Sequence, residues 1–569
     1  DYVSSSLLRS CRWIKIAVTE PGIYRIGYSG LKNMGFADPS AVALYGNNSG
    51  QLSFYNNGTA PDDLREISFM TDRGSDNIFN EGDFIIFYGE GTHRYRYNKS
   101  TGYYDFLRHH YSDTAYYFLT ARPGAAQPVT TEELPSGAPG RFSVATDVTF
   151  RYETEGVNLI KSGREWYQQV IPGKENQVIP LFSNLITGER IRYRFRALAR
   201  SDKESLFMLK QGMTVIKNIT VSPVNMRDLN GVYATVITAA DSCYPESSAP
   251  LFSVIFSNNG NLAASGYIDY MDLQGRAQLK YTDRQLFISD SRTAAEGSVT
   301  QFSITSSNLL KVWDVTDPFS PVAIQATFSA GKTTFAVNTD SLRKFIAFDN
   351  QHLMQPVIVP GEIPNQDLHS LPPAKMIIVT HPLFVPYAER LAEMHLSDDG
   401  STSLIVTPRQ IYNEFSGGIP DAVAIRNFVR MVHEKGKTSS IPLKYLLLFG
   451  DGSYENKTPP PLNTSFIPTW QSVNSHVGVL SFTSDDFYGL LDDGEGEADG
   501  LLDIGIGRLP VTDTTGAGIV TRKIGSYLLT PALGSWKNIL CMVADDEDGN
   551  LHMTDAESLS AQAYASAPP

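Results

Sequence analysis

Beyond residue 373 the chain repeats one pattern, a short wholly apolar run followed by residues at helical spacing. The runs are "KMIIVT", "TSLIVT", "KYLLLFGDGS", "LLDIGIG" and "NILCMVADD". A strand apolar at every position is buried on both faces, and alternation with helices predicts a mostly parallel sheet covered on each side. Between the runs, "FVPYAERLAEMHL" sets Tyr387, Leu391 and Met394 on one face. "AVAIRNFVRMVHEKG" carries Ile425, Phe428, Val429 and Val432 as a single stripe, with Asp421 as its N-cap and Gly436 at its end. Ligand sites in such sheets lie at the carboxyl ends of the strands, which singles out "GDGSY" after Phe449 and "ADDEDGN" after Val543.

Upstream the period changes from helical to alternating. "RIRYRFRALAR" points Ile191, Tyr193, Phe195 and Ala197 one way and Arg190, Arg192, Arg194 and Arg196 the other. The arginine row reads as the solvated face of a sandwich strand rather than a basic binding patch. Strand and turn signals place a β-rich domain at 1–140, closed by "PSGAPG", and a β-sandwich of jelly-roll type at 141–350. Prolines 356, 360, 364, 372 and 373 mark 351–373 as a linker to the α/β domain at 374–569.

A length of 569 residues implies several cores, and a net charge of −14 without a Lys/Arg cluster excludes a general nucleic-acid binder. No run is apolar for the roughly 18–20 residues that span a bilayer. Cys11, Cys243 and Cys541 form neither a disulfide framework nor a metal pair. Cys541, inside "ILCMVA", reads as a buried, inert thiol, and no cysteine or serine stands in a recognisable dyad with His381, His476 or His552.

Acids concentrate in "FTSDDFYGLLDDGEGEADGLLDIGIGRLP". Asp493, Glu495, Glu497 and Asp499 alternate among glycines, an oxygen-rich loop that reads as a solvated hairpin tip or as a Ca²⁺ site. "ADDEDGNLHMTD" sets Asp545, Asp546 and Asp548 in a partial EF-hand pattern lacking the first aspartate and the final glutamate, and "TDAE" reads better as a capping box from Thr554. Calcium is the only cofactor these residues suggest.

The ordered segments "IYNEFSGG…DAVAIRNFVR", "LKYLLLFGDGSYENK", "FTSDDFYGLLDDGEG", "LDIGIGRLPV" and "VADDEDGNLHMTDAE" together resemble the gingipain-like (C25-type) cysteine peptidases. With "SSLLRSCRWIKIAVTEPGIYRI", "NEGDFIIFYGEG" and "LLKVWDVTDP" the resemblance covers the whole chain. It is greatest to the surface signal peptidases of the Bacteroidetes type IX secretion system. The resemblance implies a caspase-like α/β core behind β-rich domains and a Cys–His dyad. The implied reaction removes C-terminal signal domains from secreted cargo, with a lipopolysaccharide amine able to replace water as acceptor. It also implies outer-membrane secretion and attachment subunits as partners, at the extracellular face of the outer membrane. Ser484, Asp485 and Asp486 match the family's acidic wall for the residue before the scissile bond, while Asp485 read on its own would cap the turn that follows. The family's Gly-His-Gly motif does not occur here, so the catalytic His and Cys are expected beyond Pro569 and this chain alone is expected to be inactive. The competing expectation is a non-catalytic cell-surface binding or scaffold protein that uses its β domains to hold partners.

Overall fold

The computed structural model describes residues 2–47, 50–57, 62–122, 126–228, 230–458, 461–529, 534, 536 and 539–566. It is β-rich through its amino-terminal two thirds and ends in an α/β unit.

In the first unit, Trp13–Val18 pairs antiparallel with Ala115–Ala121, which continues through Val42–Gly46 to Arg65–Ile67. A three-stranded sheet of Gly22–Gly27, Phe84–Gly89 and Phe69–Asp72 packs against it through Ile16, Val18, Leu44, Phe87 and Tyr117. The other edge of Trp13–Val18 is taken by Val357–Ile363, antiparallel. That strand lies inside the stretch expected to be a linker. Its proline, Pro360, is accommodated because the strand is at the sheet's edge and the register shifts beside it.

The 141–350 stretch folds around two cores rather than one. Ala145–Glu153, Ser265–Gln278, Ile191–Arg200 and Thr235–Cys243 form one sheet, packed on Glu175–Val178, Phe252–Ser257, Ser205–Gln211 and Thr214–Val221. Phe195, Phe207, Phe256 and Leu273 fill the space between them. The second core, with Phe302, Phe335 and Phe345, lies between sheets built from 286–348 and closed by Thr130–Glu132 and Arg141–Ser143. The alternation in 191–200 is as read, with Ile191, Tyr193, Phe195 and Ala197 buried. Of the arginine row only Arg190 is exposed; the other three are engaged. Arg192 and Arg194 lie over the Tyr103 ring, at 3.3 and 3.8 Å, Arg194 pairs with Asp105 at 2.9 Å, and Arg196 pairs with Glu165 at 2.9 Å and with Asp269. Arg192 and Arg194 carry the hairpin Arg94–Asn98/Tyr103–Leu107 of the first unit, because planar guanidiniums stack on aromatic rings while keeping their donors for carboxylates.

The α/β unit has strands β1 (Met376–Thr380), β2 (Ser403–Val406), β3 (Tyr445–Phe449) and β4 (Gly505–Leu509), all parallel in the order β2-β1-β3-β4. Helices α2 (Pro408–Phe415) and α3 (Ala422–Lys437) cover one face through Ile411, Phe415, Ile425, Phe428 and Val429. Helices α1 (Val385–Asp399) and α4 (Thr514–Leu529) cover the other through Ala388, Leu391 and Ala517. A fifth strand at "NILCMVADD" does not form among the described residues: Ile539 and Val543 are exposed, and so is Cys541, which was expected to be buried. The following helical stretch, Glu547–Ser566, is kinked at Asp548–Asn550 and has no buried residue, so it does not cover the segment as a buried parallel strand requires. Thr554 sits within that helix, bonded to the Asn550 carbonyl, and does not start it.

Buried polar groups fasten the first unit to the α/β unit. Lys15 donates to the Gly418 carbonyl at 2.9 Å, and burial, reinforced by Arg409, lowers its pKa to about 7. Asp421 caps α3 at Val423 N, as its sequence position predicts, and also accepts from Gln51 Nε2 at 2.9 Å; burial raises its pKa to about 7. Arg426, on α3, donates to the Phe54 and Ser53 carbonyls. His369 stands between two carboxylates, with Nδ1 2.7 Å from Glu414 and Nε2 2.9 Å from Asp62, and its ring is stacked on Phe415. Burial pulls its pKa down, but these hydrogen bonds overcome that and raise it to about 9.

Candidate active-site edge of the parallel sheet

The carboxyl ends of β3 and β4 are joined by one side chain that sequence reasoning missed. Arg508, near the end of β4, donates through Nε and Nη2 to both oxygens of Asp485, each at 2.7 Å. Its Nη1 reaches the Gly450 carbonyl at 3.1 Å and the Ile467 carbonyl at 3.2 Å. Burial opposes the charge, but the Asp485 pair outweighs it and raises the Arg508 pKa further. The signal was a lone cation in an otherwise apolar strand pattern, "LDIGIGRLP", where a buried charge requires a partner. Arg508 thus fixes the "GDGSY" turn, the 466–468 segment and the "SDDFYG" segment in one arrangement.

Asp485 therefore does not cap the short 3₁₀ turn Asp486–Gly489; it is spent on Arg508. Ser484 Oγ accepts from Asp486 N at 3.1 Å, and Asp486 is exposed. Beneath them Phe487 and Tyr488 are buried, with the Tyr488 hydroxyl bonded to the Pro468 carbonyl.

The acidic loop is neither a free tip nor an assembled cation site. Its backbone pairs with residues 54–56 of the first unit: Asn56 N donates to Glu495 O at 2.7 Å, Gly494 N to Asn56 O at 2.8 Å and Glu497 N to Phe54 O at 3.2 Å. The approach is close enough that a Cβ on Gly496, whose φ is +152°, would lie 2.0 Å from the Phe54 carbonyl oxygen. The carboxylates diverge. Glu497 takes Arg164 and the Trp470 indole, Glu495 caps Asp492 N and Leu501 N, Asp493 meets Arg430, and Asp499 is exposed. The spacing of alternate acids between glycines suggested converging oxygens; docking against residues 54–56 instead sends each toward its own donor. Asp545, Asp546 and Asp548 are likewise exposed and do not converge, and Asp548 faces His552 at 3.4 Å.

Among the described residues one group of side chains, Asp367, His369 and Glu414, is close enough to hold a metal ion. Both His369 ring nitrogens already face carboxylates, and the raised pKa keeps the ring protonated, so it has no lone pair to give. His369 is instead the centre of an ion triad with Asp62 and Glu414, and Asp367 is bonded to Ser6 N and Ser370 N.

The cysteines and histidines remain apart. Cys11 and Cys541 are exposed, and burial raises the half-buried Cys243 thiol to about 11, away from thiolate. His381, just after β1, packs against Phe466 and Phe384, while His476 faces Glu165 at 3.4 Å.

Residues 369–569, the span holding this sheet and its loops, match the model of peptidase family C25. These residues, about a third of the chain, are similar to that family. The match begins at His369 and takes in the whole parallel sheet, so Arg508 and "SDDFYG" lie within the matched span. A crystal structure of dimeric latent PorU from Porphyromonas gingivalis matches 97% of this chain at 24% identity with a TM-score of 0.82, which shows a shared fold, β-rich units included. The match covers 52% of that chain, so this chain spans about half of its length. The CBM36-1 domain of a multidomain xylanase from the hindgut metagenome of Trinervitermes trinervoides matches 22% of this chain, and 95% of its own, at 9% identity with a TM-score of 0.14, a level that carries no argument. No curated protein matches the chain. No helix among the described residues is long and apolar enough to cross a membrane.

Proposed function

We propose that this chain is the amino-terminal part of a PorU-like cysteine endopeptidase and transpeptidase of the type IX secretion system. Its task is to remove C-terminal signal domains from secreted cargo at the extracellular face of the outer membrane. A thiolate attacks the scissile carbonyl, the cargo remains as a thioester, and the signal domain leaves with the new amine. Water then releases the cargo, or a lipopolysaccharide amine takes the acyl group and forms an amide, which is the sortase-like outcome. Outer-membrane secretion and attachment subunits are the proposed partners. The observation that carries this reading is the C25 region set behind β units that share the PorU fold along nearly the whole chain.

The catalytic His and Cys are proposed to lie outside residues 1–569, a reading supported by the cysteines' hydrogen-bond partners, Ser10, Gln211 and the Met542 carbonyl, none of which is a histidine. In the proposed wall for the residue before the scissile bond, Asp485 is already matched by Arg508, which leaves Asp486 to meet a basic side chain. The test is a peptidase assay on cargo C-terminal fragments. The 569-residue chain should show no thiol-dependent turnover, and the chain extended along its natural gene should show it. Turnover by the short chain, or none by the extended one, would refute the reading.

A further inference from the structure

We propose that the cleft between the first β unit, the 145–278 sandwich and helix α3 binds an oligosaccharide. This rests on the cleft's own chemistry and not on the peptidase reading.

The cleft has a volume of about 1560 Å³, larger than the roughly 300–1,000 Å³ of small-molecule sites, so its occupant is a chain of several rings or residues. Its walls are polar and apolar in equal part, and their charges are close to balanced. Arg108 pairs with Glu155 at 2.8 Å, Arg196 with Glu165 at 2.9 Å and Arg151 with Asp272 at 3.0 Å, so their guanidiniums and carboxylates are held in place. Paired charges of both signs offer fixed donors and acceptors to hydroxyls without favouring a polyanion. Leu52 and Leu107 are the only aliphatic residues in the lining, and its apolar surface is otherwise mainly aromatic, with Phe106 and Tyr270 among the rings. The half-exposed Tyr55 and the Trp166 indole, stacked on Tyr454 at 5.7 Å, supply rings of the kind that lie on the C–H faces of sugars.

A second observation points to a missing occupant. Three residues on the cleft wall hold buried polar atoms without a protein partner: Asn56 through Oδ1, Arg164 through Nε and Nη1, and Asn427 through Nδ2. The Arg164 side chain is 7% exposed; its Nη2 is bonded to Glu497 and its guanidinium lies 4.3 Å over the Phe54 ring, so Nε and Nη1 have ring contact but no hydrogen-bond acceptor. Native proteins seldom leave such groups unmatched, and a carbohydrate supplies both donors and acceptors.

The experiment titrates the full 569-residue chain with maltohexaose, chitohexaose and de-N-acetylated chitohexaose. Saturation-transfer NMR and indole fluorescence follow binding, and a mixed-charge peptide of similar mass serves as the competitor probe. At least one sugar should bind saturably. Asn427→Ala, which removes an amide without a protein partner, and Trp166→Ala should each weaken it by about tenfold or more. Melting curves should show Asn427→Ala folded as wild type, so the proposal stays testable if Trp166→Ala disturbs the Tyr454 stack. Failure of all three sugars at millimolar concentration, binding that Asn427→Ala leaves unchanged, or a peptide that binds with these losses where sugars do not, would each overturn it. None of these results bears on the peptidase assay.

Discussion

Replacing His369 by glutamine should make the stability of the protein less dependent on pH in one definite direction. In the native state the imidazolium is shared by Asp62 and Glu414, with Asp63, Asp367 and Lys435 around them and no exposure of its own side chain. A pKa raised from 6.5 to about 9 corresponds to about 3 kcal/mol between the two protonation states. Because the Asp62 side chain is 21% exposed and partly screened by solvent, about 2 kcal/mol is the figure to expect. The pKa is higher in the folded state, so this stability is fully present below pH 6.5 and is lost as pH rises through about 9. Removing the cation also leaves Glu414, 0% exposed, to be matched by backbone and amide donors alone. Urea unfolding of wild type and His369→Gln, followed by fluorescence at about pH 6, 8 and 10, measures the gap. The gap should be largest at the lowest of these pH values and shrink by about 2 kcal/mol at the highest, leaving the constant part that reflects lost packing on Phe415. A gap that stays level or widens with pH would refute the assignment of a shared imidazolium.

Other expectations follow from the same geometry. Gly496→Ala forces a Cβ against the Phe54 carbonyl and should lower the melting temperature and expose the 53–57 segment to protease, whereas Ala at Gly494, which has open space, should cost less. Arg508→Met removes the partner of the partly buried Asp485 and frees three segments at once, so a loss of about 3–5 kcal/mol is expected in unfolding, partly restored when Asp485→Asn is added. Because the carboxylates of Asp493, Glu495, Glu497 and Asp499 diverge, adding millimolar Ca²⁺ or a chelator should leave the melting temperature unchanged; a rise with Ca²⁺ would mean that the loop rearranges to bind it.

What could be read in the chain follows from how far each signal acts. The parallel sheet was legible because β1, β2 and β3 are apolar for local reasons, and α3 because Asp421 and the Ile425–Phe428–Val429 stripe are properties of one helix. The arginine row at 190–196 had the right alternation and the wrong environment, since its partners Tyr103 and Asp105 lie about ninety residues away. Lys15, His369 and Arg426 gave no signal at all. A buried charge looks like a surface charge until its distant partners are known, and here those partners belong to another unit. The acidic loop misled for the same reason, because its glycines serve close approach to residues 54–56 and not the flexibility of a free tip.

The pairing of Val357–Ile363 with Trp13–Val18 also sets an order of events. A chain that emerges amino end first carries its first sheet with one edge open while both β cores that follow are synthesised and collapse. An open edge is a template for pairing with other chains, so the early strand needs protection during that interval. The sheet of the first unit is therefore complete only once residues 357–363 are available to pair with Trp13–Val18.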